Sequence, residues 1–297
     1  MAVRLSAARF RVWKMQWSRS THPLRGWRRA SMADVMGIGS WEPHWIGIST
    51  HGRYAAFHRP EVSRGPAIVF VPPLLHEIER SRRFVTEVAG CLAEMGLPCL
   101  RFDYIGTGDS SGHADAVSLD SLQVDIWHAE AALRSLAGAG NVVVLAWRAA
   151  SLPVFRWLKA GAMPRAVLMW EPVVDGAAWL EHLRRQDHSE RLARRPYKYR
   201  LTNGAFQGDG HLLGFALSDR LRLDLADATL SLSEWRPSLP MWAILRSSEQ
   251  HVSDEWDRHF TLPDGAPEFG GIDSTMFLSP PVERVVKCLG RALLEEL

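Results

Sequence analysis

The chain of 297 residues is 46% hydrophobic and 23% charged, with a formal net charge of +2 at pH 7. This composition is typical of a globular protein with a large core, and so small a charge does not predict binding to nucleic acid. No segment approaches the roughly 18 consecutive apolar residues that predict a membrane span. The cysteines Cys91, Cys99 and Cys288 form no CxxC pair, so we expect no disulfide framework and a reducing, cytoplasmic location.

The start of the chain differs from the rest. Its first 33 residues are rich in arginine, contain no acidic residue and have no continuous apolar segment, which argues against a secretory signal. We predict that residues 1–35 form a disordered basic leader, with Met32 or Met36 as the natural beginning. An amphipathic surface or targeting segment is the alternative. The folded domain is then expected over residues 36–297.

Strand and helix patterns alternate along this domain. The predicted strands are Trp45–Ser49, Arg53–His58, Ala67–Val71, Pro98–Phe102, Asn141–Trp147, Ala166–Trp170 and Met241–Arg246. The predicted helices are Arg82–Met95, Leu119–Leu136, Ser151–Lys159 and Glu283–Leu297. This alternation predicts an α/β fold with a mostly parallel sheet and helices on both faces. The stretch between Asp175 and Pro240 has helical segments but no buried strand, and predicts a lid at about 176–240.

Ligands of an open α/β sheet lie beyond the carboxyl ends of its strands, so the residues that follow each strand are the first candidates. Pro72-Pro-Leu-Leu-His-Glu77 follows one strand, and a loop with Gly106, Gly108 and Gly112 follows the next. Because that glycine-rich loop does not run directly into a helix, we interpret it as a structural turn rather than a phosphate-binding loop.

The turn after the third buried strand has the pattern of a nucleophile elbow, in which small residues flank an exposed central side chain. It reads Ala146-Trp-Arg-Ala-Ala150, with Arg148 at the centre. A protonated guanidinium has no lone pair to attack a carbonyl carbon, so Arg148 cannot act as a nucleophile. Ser151 comes three residues later, where we expect its hydroxyl to cap a helix.

These motifs together resemble the α/β-hydrolase superfamily, and within it the exosortase-A-associated hydrolases of the second type. The matching stretches are Pro72–Glu77 with Ser81–Arg83, Phe102–Tyr104 with Gly106–Gly112, Ala146–Ala150, Trp170–Gly176 with Leu183–Arg185, and Gly214–Ser218. The resemblance covers roughly residues 45–297. It implies an α/β-hydrolase fold, an arginine at the elbow, and an association with bacterial exopolysaccharide or protein-sorting machinery.

The sequence also bears on the other two members of a hydrolase triad, the histidine and the acid. The loop before the final helix, where a catalytic histidine is expected, has none, and His259 is the last histidine of the chain. We expect His251 and His259 to be surface residues of a helix that precedes this loop. Glu249 or Asp254 could occupy the acid position.

Backbone amides at Ala149 and Leu74 are where oxyanion donors belong, and a cationic Arg148 between them would make an anion-binding pocket. The predicted ligand-binding residues are Arg148, Ala149, Leu74, His76, Glu77 and Trp179. Alternatively, Arg148 pairs with a buried acid such as Glu77 or Asp103 and is purely structural.

Three functions are consistent with this pattern. The first is a non-catalytic or weakly active protein that binds an anionic small molecule. The second is a hydrolase of an ester, thioester or peptide that uses a water held by Glu77, His76 or Asp175, or the hydroxyl of Ser110. The third is a partner protein of a secretion or polysaccharide assembly. None of them requires a cofactor or a metal ion.

The leader generates a first prediction. Because it lacks apolar patterning and acidic residues, deletion of residues 1–31 should leave the melting temperature essentially unchanged. Differential scanning fluorimetry of the full and shortened chains measures the difference. A drop of several degrees would show instead that this segment packs against the domain.

Overall fold

The structure is a computed structural model that describes residues 41–47, 51–193, 210–231, 239–248, 256–270 and 276–297. The leader expected over 1–35 lies outside the described residues. Glu249, His251 and Asp254 lie outside them as well.

One large sheet organises the described residues. Its strands, in chain order, are β1 Glu42–Ile46, β2 Arg53–His58, β3 Ala67–Val71, β4 Cys99–Phe102, β5 Val142–Trp147, β6 Ala166–Trp170, β9 Met241–Leu245 and β10 Arg258–Thr261. These eight strands lie in the order β1-β2-β4-β3-β5-β6-β9-β10. Strand β2 is antiparallel to both of its neighbours, and all pairs from β4 to β10 are parallel. The carboxyl ends of the parallel strands therefore meet at one edge of the sheet.

Helices cover both faces of the sheet. They are α1 His76–Glu94, α2 Leu119–Ala137, α3 Ser151–Lys159, α4 Gly176–Ala193, α5 Asp219–Ala226 and α6 Pro280–Glu296. Alternate residues of β5 point to opposite faces, so Val144 and Ala146 pack with α2 and α3, while Val143 and Leu145 pack with α1 and α6. Burial on both faces explains why β5 is a continuous apolar run.

The predicted class, a mostly parallel sheet with helices on both faces, is confirmed. Four elements match residue for residue: strands Arg53–His58, Ala67–Val71 and Ala166–Trp170, and helix Ser151–Lys159. Helix α1, however, begins at His76, which is six residues before Arg82, where the apolar periodicity predicts its start. Its first turn carries Glu77 and Glu79, and acidic side chains favour a helix N-terminus even without an apolar stripe.

Other elements also differ from the sequence prediction, and the first strand begins at Glu42 rather than at Trp45. His259 lies in strand β10, not in a helix, and its side chain is exposed. This strand has four residues and no apolar run, so its pairing with β9 gives it a form that periodicity does not indicate. The segment between β6 and β9, which we call the insertion, also contains a two-stranded hairpin of β7 His211–Leu212 and β8 Phe215–Ala216.

A cluster of buried aromatic rings supports the end of β5. The side chain of Trp147 is fully buried and stacks on Trp170 with 4.5 Å between ring centres. Phe84 of α1 meets Trp147 edge-on at 5.8 Å, and Phe269 lies 6.0 Å away. Because interiors are close-packed, this cluster fixes the position of the backbone turn that follows Trp147.

This packing generates a prediction about stability. Replacement Trp147→Ala should lower the free energy of unfolding by about 3–5 kcal/mol, because it leaves a cavity among rings that cannot close it. Urea titration followed by circular dichroism measures the loss. Trp45→Ala is the matched control, since this indole is 67% exposed on an edge strand and its loss should cost less than about 1 kcal/mol. Equal losses in the two variants would contradict a supporting role for the cluster.

Candidate functional site

The turn after β5 keeps the backbone of a nucleophile elbow. Arg148 has a φ of 55° and opens a short 3-10 turn, Arg148–Ala150, that runs directly into α3. Ala149 and Ala150 are fully buried, so larger side chains would not fit beside the turn. A non-glycine residue in this conformation costs about 1–3 kcal/mol and persists only where its surroundings impose it. The turn thus presents the Arg148 side chain above the edge of the sheet.

Strained backbone is concentrated at this edge. Leu75, after β3, has a φ of 54°, and Glu171, directly after β6, has a φ of 43°. With Arg148 they make three of the four non-glycine residues of positive φ in the described ranges. Because such residues cluster at ligand-binding and catalytic sites, the side chains at this edge are candidates for a functional site.

The Arg148 guanidinium is only partly engaged by the protein. Its Nε donates to Glu77 Oε1 at 3.4 Å, and Nη1 donates to the backbone oxygen of Glu171 at 3.0 Å. Its central carbon lies 5.8 Å from the ring centre of Phe269. No described residue accepts a hydrogen bond from Nη2, and the side chain is 20% exposed. One edge of the guanidinium fork therefore remains available to a ligand.

Glu77 faces Arg148 from the first turn of α1 and is 1% exposed. Burial raises the pKa of its carboxyl to about 7, although the charge and the hydrogen bond of Arg148 act in the opposite direction. The 3.4 Å contact is longer than the roughly 2.7–2.9 Å of a strong charge-assisted hydrogen bond, so attraction does not offset desolvation. Glu77 Oε2 and Trp179 Nε1 are buried without a hydrogen-bond partner among the described residues.

His76 is the next polar group of the site and is 5% exposed. Burial lowers the pKa of its imidazole to about 4, with further lowering by the charges of Arg80, Arg148 and His182. The ring is therefore neutral at pH 7. Neither of its nitrogens has a hydrogen-bond partner within the described ranges, so both can serve a polar ligand.

A second ion pair closes the site on the side of β6 and β9. Glu171 directly follows β6, and its carboxylate accepts from Nε of Arg246, which directly follows β9. Arg246 also donates to the backbone oxygen of Pro267 at 2.8 Å. The sequence analysis missed both residues, although each stands immediately after a buried strand and could have been found by that rule.

The structure assigns structural contacts to two other predicted candidates. The hydroxyl of Ser110 donates to the backbone oxygen of Asp103 at 2.7 Å and accepts from the Tyr54 amide at 2.9 Å. Asp103 itself pairs with Arg82 rather than Arg148. Asp175 is exposed and accepts from the Ala178 amide at 2.9 Å, at the start of α4. Among the described residues, no hydrogen bond or ion pair joins the Ser110 or Asp175 side chain to the Arg148 cluster.

The prediction that Ser151 caps a helix is wrong. Its hydroxyl is buried and donates to the backbone oxygen of Val173 at 2.6 Å, and it accepts no bond from the start of α3. Because the preceding 3-10 turn runs straight into α3, the amides of the first helical turn follow an existing turn and need no side-chain cap. The hydroxyl instead ties α3 to the start of the insertion.

An apolar cavity of about 180 Å³ lies beside the first turn of α1. Its walls come from the residues after β3, the loop after β4, and the β7–β8 hairpin with α5. They include Leu74, Leu75, Ile78, Tyr104, Phe215 and Leu221. Leu74 lines this cavity, whereas Arg148 does not.

Comparison with known proteins bears on the fold. No protein-family model and no curated protein sequence matches the chain. A hypothetical protein from Pseudomonas aeruginosa is 14% identical, with a TM-score of 0.58 over 87% of this chain and 94% of that one. An esterase from Pyrococcus furiosus is 12% identical, with a TM-score of 0.54 over 91% and 95% of the two chains. A proline iminopeptidase from Mycobacterium smegmatis is 13% identical, with a TM-score of 0.53 over 85% and 97%.

These likenesses, with the strand order of the sheet, decide the architecture. The chain has the α/β-hydrolase fold. At such low identity the likeness concerns the fold alone, and the site must be judged on its own residues. In this α/β-hydrolase fold the nucleophile position is the turn after β5, and Arg148 occupies it.

Two kinds of site are not seen in the described ranges. None of their helices is long and apolar enough to cross a membrane. The same residues contain no group of three or more His, Cys, Asp or Glu side chains that could hold a metal ion. The polar cluster at the sheet edge combines arginines with carboxylates, which is a set suited to proton and anion binding.

The burial of Glu77 generates a prediction about pH. Its pKa is raised above its ordinary value, so its contribution to stability is full below about pH 4.5 and is lost as the pH rises through 7. Between pH 5 and 8 the wild type should lose about 2–3 kcal/mol of unfolding free energy relative to Glu77→Gln. Urea titrations of both proteins across this range measure the difference. Glu94→Gln, an exposed position of the same helix, is the control and should run parallel to the wild type. A Glu77→Gln profile parallel to the wild type would mean that the carboxyl is ionised throughout.

Proposed function

We propose that this α/β-hydrolase-fold protein binds an anionic small molecule at Arg148 and has little or no hydrolase activity. The observation that carries the proposal is the guanidinium at the elbow, which has one edge free of described partners and is 20% exposed. A planar fork of this kind matches a carboxylate or phosphate in a bidentate geometry. The neutral His76 and the backbone amides of Ala149 and Leu74 would supply further polar contacts.

The absence of triad chemistry supports a binding role. Arg148 offers no nucleophile where the fold would place one. The chain also has no histidine after His259, so the segment between β10 and α6 cannot supply the usual general base. We propose that these two positions make the triad degenerate, and that the insertion over about 176–240 covers the site as a lid. Trp179 of α4, which faces Glu77, would be the lid residue above the ligand.

Protonation of Glu77 would set the strength of anion binding. When ionised, this carboxylate competes with the ligand for Arg148, 3.4 Å away. When protonated, it leaves the positive charge to the ligand and can donate a hydrogen bond to it. Because its pKa lies at about 7, both states are accessible near neutral pH.

One observation favours a second function, hydrolysis through a non-standard site. A buried carboxyl with a pKa of about 7 is suited to act as a general base on a bound water. In that mechanism Arg148 and the amides of Leu74 and Ala149 would stabilise the oxyanion of an ester, thioester or peptide. The experiment below separates it from binding alone.

We also propose a finer family assignment. The stretches of sequence that resemble exosortase-A-associated hydrolases of the second type support a cytoplasmic role beside bacterial exopolysaccharide or protein-sorting machinery.

The test is a comparison of Arg148→Ala with the wild type by isothermal titration calorimetry, using butanoate, benzoate and inorganic phosphate as probes. Arg148→Ala should lose about 1.5–3 kcal/mol of binding free energy for the probe that binds, the range of a charge-assisted hydrogen bond. Arg148→Lys keeps the charge without the fork and should lose an intermediate amount. Wild-type affinity should fall between pH 6 and 8 as Glu77 ionises.

Arg156→Ala is the matched control, because this arginine lies on α3 with an exposed side chain that pairs with Asp120. It should bind the probes as the wild type does. The same proteins are then assayed with p-nitrophenyl butyrate and a fluorophosphonate. Turnover by the wild type above that of Arg148→Ala, or stoichiometric labelling of a serine, would overturn the proposed function in favour of hydrolysis.

A further inference from the structure

We propose that the anion held by Arg148 is a hydroxy acid, whose carboxylate pairs with the guanidinium and whose hydroxyl donates a hydrogen bond to the imidazole of His76. The inference rests on the proposed function and adds to it the chemical class of the ligand. The observation that carries it is a buried imidazole beside the guanidinium with no hydrogen bond at either nitrogen within the described ranges.

The His76 side chain is almost closed to solvent, at 5% exposed, and yet neither of its ring nitrogens meets a donor or an acceptor among the described residues. Buried polar atoms of folded proteins are nearly always hydrogen-bonded, because leaving them unpaired costs the whole of their lost hydration. The ring is neutral at pH 7, so one nitrogen carries a hydrogen to donate and the other can only accept. A ligand that matches this ring must therefore supply both an acceptor and a donor.

The imidazole and the guanidinium belong to the same site. After burial, the nearby charges of Arg80 and Arg148 are the largest influences that lower the pKa of His76. The next residue along α1, Glu77, holds Nε of Arg148 at 3.4 Å. One small molecule can therefore contact the imidazole and the free edge of the guanidinium together.

Helix α4 faces this pair of residues from the insertion. Trp179 faces Glu77, and the charge of His182 acts on His76. These two residues of α4 are three positions apart, so they project from the same side of their helix. The space beside His76 and Glu77 thus has polar side chains on two helices and the guanidinium on the turn after β5.

The donors and acceptors narrow the class of ligand. A carboxylate only accepts, so it can pair with Nη2 of Arg148 and with the N–H of His76, but not with the bare imidazole nitrogen. A hydroxyl group supplies the missing hydrogen. An ammonium group would supply one as well, but the positive charges of Arg148 and Arg80 beside the imidazole would repel it. The site therefore favours a hydroxy acid over both a simple carboxylic acid and an amino acid.

The test measures dissociation constants at pH 7 by isothermal titration calorimetry for butanoate, its 2-, 3- and 4-hydroxy derivatives and the corresponding aminobutanoates. In the wild type, at least one hydroxybutanoate should bind about 5- to 10-fold more tightly than butanoate, the gain expected of one hydrogen bond to a buried group. No aminobutanoate should bind more tightly than butanoate. This ratio of hydroxybutanoate to butanoate affinity is the quantity compared among variants.

His76→Leu and His76→Phe remove both nitrogens, and in each the ratio should fall to about one. His76→Gln keeps a donor and an acceptor and should retain part of the preference. His259→Leu is the matched control, because His259 is exposed on β10, and it should keep the wild-type ratio. Circular dichroism identifies the variants that are folded, and either of the two apolar replacements is sufficient for the comparison.

A wild-type ratio near one for all three isomers would overturn the hydroxy-acid assignment. So would a wild-type ratio that persists in the folded apolar variants of His76, or one that is lost equally in His259→Leu. In each of these cases, a loss of butanoate binding in Arg148→Ala would still support the proposed function. Butanoate binding that is unchanged in Arg148→Ala would overturn both.

Discussion

Desolvation of the Glu77 carboxyl is the constraint on which the site depends. The group is 1% exposed, and its partner Arg148 lies 3.4 Å away, too far to repay the lost hydration. The carboxyl therefore keeps its proton up to about pH 7, and below that pH it does not neutralise the positive charge of Arg148. If the two groups were closer and both ionised, the carboxylate would neutralise the guanidinium, which would then attract an anionic ligand only weakly. The weakness of this contact thus leaves the guanidinium free to take up the anionic ligand that we propose.

The scaffold holds this arrangement in place. Rings of Trp147 and Trp170, stacked at 4.5 Å, fix the strand ends from which Arg148 and Glu171 project. Both of these residues have positive φ angles, so the fold maintains a strained backbone at the point where the polar groups converge. Strain of about 1–3 kcal/mol per residue is tolerated because close packing below the sheet edge leaves no relaxed alternative.

Much of the fold could be predicted from the sequence, because buried strands such as Ala166–Trp170 are continuous apolar runs. Strand β10 could not be predicted, because its four residues include polar and apolar side chains and become a strand only by pairing with β9. The elbow was found because its small residues are adjacent in the sequence. The pairing of Glu171 with Arg246 joins residues 75 positions apart and leaves no local pattern. The start of α1 was missed for a related reason: its polar residues face the site, so they interrupt the apolar stripe that marks a helix.

The elbow shape of the turn at Arg148 has a consequence for how readily this scaffold could acquire the chemistry of a serine hydrolase. Arg148→Ser would place a hydroxyl on a turn already bent for a nucleophile, with α3 following directly behind it. The hydroxyl would find no imidazole in the segment between β10 and α6, and the carboxyl of Glu77, which faces this position, is half protonated at neutral pH. A second substitution far along the chain would be needed before either change brought any advantage. Serine-hydrolase chemistry would therefore require two coordinated substitutions, so the shape of the turn alone does not make the protein a near-esterase.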